Sequence, residues 1–179
     1  MTPDALTIRP CRPGDQDEAK RLINAGLGER FGVVDESFNP DLDDIAAHYT
    51  AAGHVFVVAE RAGTLAGTGC LMIEANGASG QMVRVSVRRE LRGQGIGRAL
   101  VAHLLAEARG RGLRRVWMET NEDWTSAIRL YEACGFRQYA HKDGLVFLEH
   151  RRDGKHAQRA AGAVDDLERR GDDEGAGGG

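Results

Sequence analysis

Hydrophobic and polar positions between residues 5 and 150 follow two patterns that alternate along the chain. In the shorter segments, apolar residues alternate with polar ones or run together over a few positions, which is typical of β-strands. In the longer segments, apolar residues recur every three or four positions, as on one face of an α-helix. The strand pattern covers 5–9, 54–60, 65–74, 81–88, 114–120, 136–141 and 145–149. The helical pattern covers 15–30, 39–52, 98–109 and 125–134.

The order of these elements predicts the fold class. From the N-terminus it is β-α-α-β-β-β-α-β-α-β-β, which indicates an α/β (α+β) domain with one mixed central sheet flanked by helices. Residues 1–150 are expected to form this domain. Residues 151–179 contain seven glycines, many charges of both signs and few large aliphatic side chains. Such a composition buries too little apolar surface to offset the entropy of ordering, so we predict a disordered tail there.

The second predicted helix begins within a cluster of acidic residues. Asn39 fits the N-cap, Pro40 fits the first helical position, and acids suit the first turn because of the helix dipole. The acids of the segment 35–44 are Asp35, Glu36, Asp41, Asp43 and Asp44. Capping and the dipole explain the last three, whereas Asp35 and Glu36 fit equally well a role in attracting a cationic amine.

Composition and charge argue against several classes of protein. The net charge of −3 gives no sign of the basic surface that nucleic-acid binding needs. Cys11, Cys70 and Cys134 are far apart and lack metal-ligand spacing, which fits a reducing cytoplasm and no metal site. The N-terminus lacks the pattern of a signal peptide, and no apolar run reaches the roughly 20 residues of a membrane span. We therefore expect a cytoplasmic protein.

The segment Arg92–Gly97, with the sequence RGQGIG, connects a predicted strand to a predicted helix. Free N–H groups at the start of a helix and the helix dipole together favour an anion there. Glycines allow close approach of the backbone to a phosphate, and Arg92 and Arg98 add charge on either side. Residues 92–98 are therefore predicted to bind a phosphate or pyrophosphate, although a plain strand-to-helix connector is the alternative.

The segment does not fit two common phosphate-binding motifs, that of nucleotide triphosphates and that of dinucleotides. The segment lacks the Gly-Lys-Ser/Thr of nucleotide-triphosphate loops. In the dinucleotide pattern G-x-G-x-x-G, the position of the last glycine is taken here by Arg98.

RGQGIG after a strand resembles the coenzyme A pyrophosphate loop of the GNAT acetyltransferase family, whose pattern is Arg/Gln-x-x-Gly-x-Gly/Ala. Arg92, Gly95 and Gly97 occupy its three defining positions. A second segment, AIRLYEACGF at 127–136, resembles the A-I-x-L-Y-x-x-x-G-F segment of the same family. The resemblance covers roughly residues 5–150 and implies acetyl-CoA as co-substrate, bound also through Gly93, Gln94, Ile96 and Arg98.

The resemblance also implies how the acetyl group is held. The strands at 81–88 and 114–120 would separate near a β-bulge, and the pantetheine arm would lie between them. The backbone of Val85, Ser86 and Val87 would then bind its amides, and a backbone N–H there would stabilise the oxyanion. The side chains of Val83, Val85 and Val87 are expected in the core.

The same resemblance assigns Tyr131 as the acid that protonates the leaving thiolate. A packed aromatic residue on an amphipathic helix is the alternative for this position. Where the family often has an asparagine, three residues before the alanine of A-I-x-L-Y, this chain has Trp124. Asn121 or Ser126 could bind the coenzyme instead.

The general base is the least determined part of the prediction. Many family members carry a glutamate at the start of the fourth strand, but residues 81–84 read QMVR and contain no carboxylate. Glu119 and Glu74 are the candidates, although for each glutamate taken alone a solvated residue at a strand end is favoured over a base. A chain of water molecules leading to bulk solvent could also accept the proton.

These observations predict an acetyl-CoA-dependent N-acetyltransferase that acts by direct transfer in a ternary complex. A route through an acyl-cysteine at Cys134 is disfavoured, because a cysteine at a helix end beside a phenylalanine usually packs. The alternative class is a coenzyme-A-binding sensor or assembly module with weak or no catalysis. The acceptor is an amine of a small molecule or of a protein, no nucleic-acid or membrane partner is expected, and a homodimer is possible.

Overall fold

Seven strands form one mixed sheet in the computed structural model, which describes residues 5–32 and 36–152. The strands are β1 (Thr7–Pro10), β2 (Val55–Arg61), β3 (Thr64–Ile73), β4 (Ser79–Val87), β5 (Arg115–Asn121), β6 (Arg137–Lys142) and β7 (Leu145–Arg151). Their order across the sheet is β1-β2-β3-β4-β5-β7-β6. All neighbouring pairs are antiparallel except β4 and β5, which are parallel. The predicted fold class is confirmed. Of the tail predicted over 151–179, Arg151 is the last residue of β7, and the residues from 153 onward lie outside the described part of the structure.

Three α-helices cover the two faces of the sheet. They are α1 (Gln16–Phe31), α2 (Ile96–Gly110) and α3 (Thr125–Ala133). The buried stripe of α2 packs on one face with the side chains of α3, and α1 packs on the other face. Leu100 and Leu104 of this stripe are fully buried, and each contributes about 1.5–3 kcal/mol by leaving water. As the connection between two parallel strands, α2 places its N-terminus at the end of β4.

The single helix predicted over 39–52 is wrong. The segment instead forms a 3-10 turn at Pro40–Leu42 and a π-helical turn at Ala46–Thr50. The cause is Gln16 of α1, whose side-chain amide donates to the Leu42 carbonyl at 2.7 Å and accepts from the Ile45 N–H at 2.9 Å. These two bonds take up backbone groups that a continuous helix would use itself.

A β-bulge interrupts the pairing of β4 with β3. Cys70 pairs with Val83 and Thr68 pairs with Ser86, so two residues of β4 lie opposite one of β3. The bulge shifts the alternation of side chains along β4. Val83 packs on the α1 side, whereas Val85 and Val87 pack on the α2 side. The valines predicted in the core are thus partly buried, but they do not share one face.

Candidate active site

A cleft opens where β4 and β5 separate. The two strands pair only at Ser79, Gly80 and Gln81 of β4, opposite residues 115–117 of β5. Beyond Gln81 they diverge, and the cleft between them has a volume of about 1090 Å³. The separation predicted from the resemblance is therefore present, and Val85, Ser86 and Val87 line one wall.

One end of the cleft is formed by the glycine loop and the N-terminus of α2. Gly93 and Gly95 have φ values of 76° and 81°, a left-handed conformation that side chains disfavour. The second of these glycines is the N-cap of α2, so the first N–H groups of that helix have no partner within it. The cleft at this end is lined by Arg92, Gly93, Gly95, Ile96, Gly97 and Arg98.

Gln94 is the one predicted loop residue whose side chain turns away from the cleft. Its Oε1 atom accepts a hydrogen bond of 2.6 Å from Nη1 of Arg61 on β2. Gln94 is not among the residues that line the cleft.

Arg92 connects three elements around the loop. Its Nε atom donates to the Val87 carbonyl at 3.0 Å, and its Nη1 atom lies 2.7 Å from Oε2 of Glu29 on α1. The side chain thus joins the loop both to the end of β4 and to α1. Its remaining N–H groups and the nearby Arg98 give this end of the cleft a positive character suited to phosphate.

Tyr131 lies on α3 and lines the cleft with 5% of its surface exposed. Its ring packs edge-to-face on Phe136, with 5.8 Å between centroids. Burial raises the pKa of Tyr131, and the nearby charge of Arg30 opposes this increase only partly. The phenol therefore keeps its proton at neutral pH, and the side chain is packed on Phe136 while it also lines the cleft.

The end of β5, the turn after it and the start of α3 place Asn121, Trp124 and Ser126 respectively, and all three line the cleft. Trp124 stands where the family pattern often has asparagine. The Trp124 ring packs against Phe31 at the end of α1, with 5.3 Å between centroids. The structure thus brings both of the alternative coenzyme-binding residues, Asn121 and Ser126, to the cleft.

The two predicted bases have different surroundings. Glu119 on β5 lines the cleft and is accessible to solvent, yet the surrounding protein desolvates its carboxylate and raises its pKa. Glu74 lies beyond the end of β3 and is not among the cleft-lining residues. Its Oε1 accepts from Nε1 of Trp117 at 2.7 Å, and its Oε2 accepts from the Ser79 hydroxyl. Among the described carboxylates predicted as bases, only Glu119 reaches the cleft.

The part of the cleft around Arg84 also contains residues that the sequence analysis did not assign to the site. Asp41, His48, Tyr49 and Arg84 line it. Asp41 accepts two hydrogen bonds from Nη2 of Arg84, at 2.7 and 2.8 Å, instead of capping a helix as predicted. The partner lies 43 residues away, so no local pattern could have indicated this pair.

The other acids of the segment 35–44 are placed as follows. Asp44 accepts from the Ala47 N–H at 2.9 Å, in the manner of a cap. Asp43 lies 2.8 Å from Nζ of Lys20 on α1. Asp35 and the side chain of Glu36 lie outside the described part of the structure.

The part of the chain that the structure describes contains neither a metal-binding group nor a membrane-spanning helix. Within residues 5–32 and 36–152, no group of three or more His, Cys, Asp or Glu side chains could hold a metal ion. In the same ranges, no helix is both long enough and apolar enough to cross a membrane. Cys134 is the C-cap of α3 and is not one of the residues that line the cleft.

Comparison with known proteins places this geometry in a family. The sequence profile of the "Acetyltransferase (GNAT) family" matches residues 21–136. A mycothiol acetyltransferase from Thermobispora bispora is 35% identical over 147 residues, which is 76% of this chain and 48% of that protein. The chain thus spans about half the length of the curated relatives it matches.

Solved structures agree on the fold. A GNAT-family acetyltransferase from Staphylococcus aureus superposes with a TM-score of 0.73 at 20% identity, over 82% of this chain and 99% of that chain. An acetyltransferase from Salmonella typhimurium, solved with acetyl-CoA, gives a TM-score of 0.69 at 22% identity, over 88% and 99%. Because the family profile covers more than half of the sequence, the chain belongs to the acetyltransferase (GNAT) family.

Proposed function

We propose that this chain transfers an acetyl group from acetyl-CoA to a primary amine by direct attack in a ternary complex. The observation that carries the proposal is the cleft between β4 and β5. It has an anion-binding helix end on one side, a buried phenol on α3 and a desolvated carboxylate on β5. Such a cleft holds a thioester between an acid and a base, which is what acyl transfer requires.

The loop 92–98 and the N-terminus of α2 suit the pyrophosphate of the coenzyme. The free N–H groups of the helix and the guanidinium groups of Arg92 and Arg98 can donate to its oxygens. The pantetheine arm then lies along the backbone of Val85, Ser86 and Val87. This part of β4 no longer pairs with β5, so its edge is open to the ligand. Asn121 and Ser126, on the opposite wall, are further donors for it.

The chemical step follows from the positions of Glu119 and Tyr131. The amine nitrogen attacks the thioester carbonyl, a C–N bond forms, and the amine proton passes to the Glu119 carboxylate directly or through water. The C–S bond then breaks, and the sulfur takes the Tyr131 phenol proton. The raised pKa of Glu119 makes it a stronger base than an ordinary glutamate once it is ionised.

The acceptor is proposed from charge and from the relatives. In the part of the cleft around Arg84, which we take as the acceptor end, Asp41 and Arg84 pair with one another. Glu119 is then the unpaired carboxylate among the described residues of the cleft, which favours a cationic amine. The name of the mycothiol acetyltransferase relatives supports including their acceptor in a test panel. Amines of other small molecules and of protein N-termini or lysines complete the panel.

The test is initial-rate kinetics with acetyl-CoA against this amine panel. Intersecting lines in double-reciprocal plots are expected for a ternary complex, and parallel lines would indicate an acyl-enzyme. Tyr131→Phe and Glu119→Gln should each lower kcat by about 10²-fold or more. Cys134→Ala is the matched control and should leave the rate unchanged, because this side chain does not reach the cleft.

A non-catalytic coenzyme A sensor is the alternative, and the same experiment separates the two. Tight binding of acetyl-CoA without acetylation of any amine in the panel would favour the sensor. Acetylation abolished by the two active-site substitutions would exclude it. Failure of the folded chain to bind acetyl-CoA would overturn both.

A further inference from the structure

Arg84 has an unusual backbone conformation at the β4 bulge. Its φ value is +56°, which is in the left-handed region that residues with a Cβ rarely adopt. Such a conformation persists only where the surrounding structure holds it. The bulge lies on the cleft wall where the acetyl group would be held, so whatever holds Arg84 also determines the geometry of that wall.

The side chain of Arg84 is held by three residues of the segment 39–49. Its Nη2 atom contacts Asp41 Oδ1 at 2.7 Å, and its Nε contacts Asp41 Oδ2 at 3.1 Å, which makes a forked pair. Its Nη1 atom donates to Oδ1 of Asn39 at 2.9 Å. Tyr49 donates its hydroxyl hydrogen to Asp41 and lies within hydrogen-bonding distance of Nε of Arg84. We call Asn39, Asp41, Tyr49 and Arg84 the bulge brace.

The bulge brace is anchored in the hydrophobic core. Tyr49 is 4% exposed, and its ring lies 5.2 Å from that of Phe56 on β2. Leu42, next to Asp41, is fully buried and bound through its carbonyl to Gln16. The Asp41 and Arg84 side chains are themselves only 19% and 21% exposed. The core therefore holds the bulge brace in place, and the brace in turn holds the bulge.

The peptide that follows Arg84 has its C=O on the side of β3. The Arg84 carbonyl accepts a hydrogen bond of 2.8 Å from the Thr68 hydroxyl on β3. In a trans peptide the N–H points opposite to the C=O, so the N–H of Val85 points away from β3 and toward the gap left by β5. Val85 also has no partner residue in the register of β3 with β4.

The geometry points to Arg84 as a positioning residue for acetyl transfer: braced by Asp41, Asn39 and Tyr49, it aims the N–H of Val85 at the carbonyl oxygen of the bound thioester. This inference rests on the proposed function. A backbone N–H fixed in this way stabilises the oxyanion that develops when the amine attacks. The contribution of the brace is to hold the left-handed conformation at residue 84, not to touch the acceptor.

Comparing glycine and alanine at position 84 separates this role from a charge effect. Arg84→Ala removes the brace but keeps a Cβ, so the bulge should relax and kcat should fall by about 10²-fold. Arg84→Gly also removes the brace, but glycine adopts a positive φ without help. It should therefore retain at least tenfold more activity than Arg84→Ala. Equal activities of the two variants would overturn the inference, because loss of the charge alone would then explain the effect.

Asn39 provides a variant outside the cleft. Asn39 is not a cleft-lining residue, so Asn39→Ala should lower kcat while the KM values for acetyl-CoA and the amine stay within about threefold. Asp41→Asn should lower kcat in the wild type and have little further effect in the Arg84→Gly background. An undiminished effect of Asp41→Asn in that background would contradict a role through Arg84.

An NMR titration without the amine acceptor tests the same role of the Val85 N–H. In ¹⁵N-labelled protein, the Val85 amide signal should shift further with acetyl-CoA than with coenzyme A, which has the pantetheine arm but lacks the thioester carbonyl. This difference should disappear in Asp41→Asn. Equal shifts with both ligands in the wild type would overturn the inference alone. Absence of any binding of acetyl-CoA would overturn the proposed function and this inference with it.

Discussion

The guanidinium carbon of Arg30 lies 4.1 Å from the centre of the Trp124 ring and so joins the end of α1 to the turn that precedes α3. Phe31 packs against the same ring from the side. All three residues line the cleft, and Tyr131 lies close enough for the charge of Arg30 to affect its pKa. The contact therefore spans the cleft beside the proposed acid.

Trp124→Ala is expected to weaken binding of acetyl-CoA by about tenfold. A cation–π contact contributes about 0.5–2 kcal/mol, and its loss frees the end of α1 from the opposite wall. Isothermal titration of acetyl-CoA measures the effect. Phe38→Ala is the matched control, because Phe38 is 80% exposed and lies outside the cleft. An unchanged Kd in Trp124→Ala would show that the bridge does not support the coenzyme site.

Glu29→Gln is expected to tighten binding of acetyl-CoA by about two- to fivefold. Glu29 pairs with Arg92 across a partly exposed contact of 2.7 Å, which is worth less than about 1 kcal/mol. Removing this carboxylate frees the guanidinium for the pyrophosphate and removes a repelling charge. Titrations at two salt concentrations should also give a steeper salt dependence than in the wild type.

A matched control for that experiment is available on the same helix. Glu18 pairs with Arg88 at 2.8 Å, and neither residue lines the cleft. Glu18→Gln should leave the affinity for acetyl-CoA unchanged. If Glu29→Gln instead weakened binding, Glu29 would be holding Arg92 in its binding orientation and not competing with the phosphate.

The pH dependence of kcat/KM should identify Glu119 as the base. Desolvation raises the pKa of Glu119, so the rate should increase with pH through a midpoint above the usual value for glutamate as the carboxylate ionises. Glu119→Gln should remove this step but leave the later increase caused by deprotonation of the amine itself. Glu122→Gln, outside the cleft, should keep both steps. A wild-type profile that shows only the increase caused by deprotonation of the amine would contradict the assignment of Glu119.

Local patterns predicted the fold because the sheet, α1, α2 and α3 each carry their own periodicity and end signals. They failed where a distant side chain decides the structure. Gln16 binds the backbone of the segment 39–52, which forms two short turns and not one helix. Asp41 of that segment binds Arg84 on β4. Glu149 is fully buried against Arg115, 34 residues away, although a charged residue near the end of a strand is expected at the surface. Each of these depends on a partner that the sequence does not place beside it.

Asp15→Asn is expected to destabilise the folded chain by about 1–3 kcal/mol at pH 7. Asp15 accepts two hydrogen bonds from Arg9, at 2.7 and 3.0 Å, and one from the Arg12 N–H at 2.7 Å. Its side chain is only 13% exposed, so water screens these contacts little. The hydrogen bonds from Arg9 lower the pKa of Asp15.

The sign of the pH effect follows from that shift. A carboxylate with a lowered pKa in the folded state binds fewer protons there than in the unfolded state. Its contribution is complete above the usual pKa of an aspartate, near 4, and is lost as the pH falls through the lower folded value. Urea unfolding at pH 7, 5 and 3 should therefore show the gap between wild type and Asp15→Asn closing toward pH 3. Asp17→Asn, at an exposed position of the first turn of α1, is the control and should cost less than about 1 kcal/mol. A gap that stayed constant from pH 7 to 3 would mean that Asp15 stabilises the fold by its shape and not by its charge.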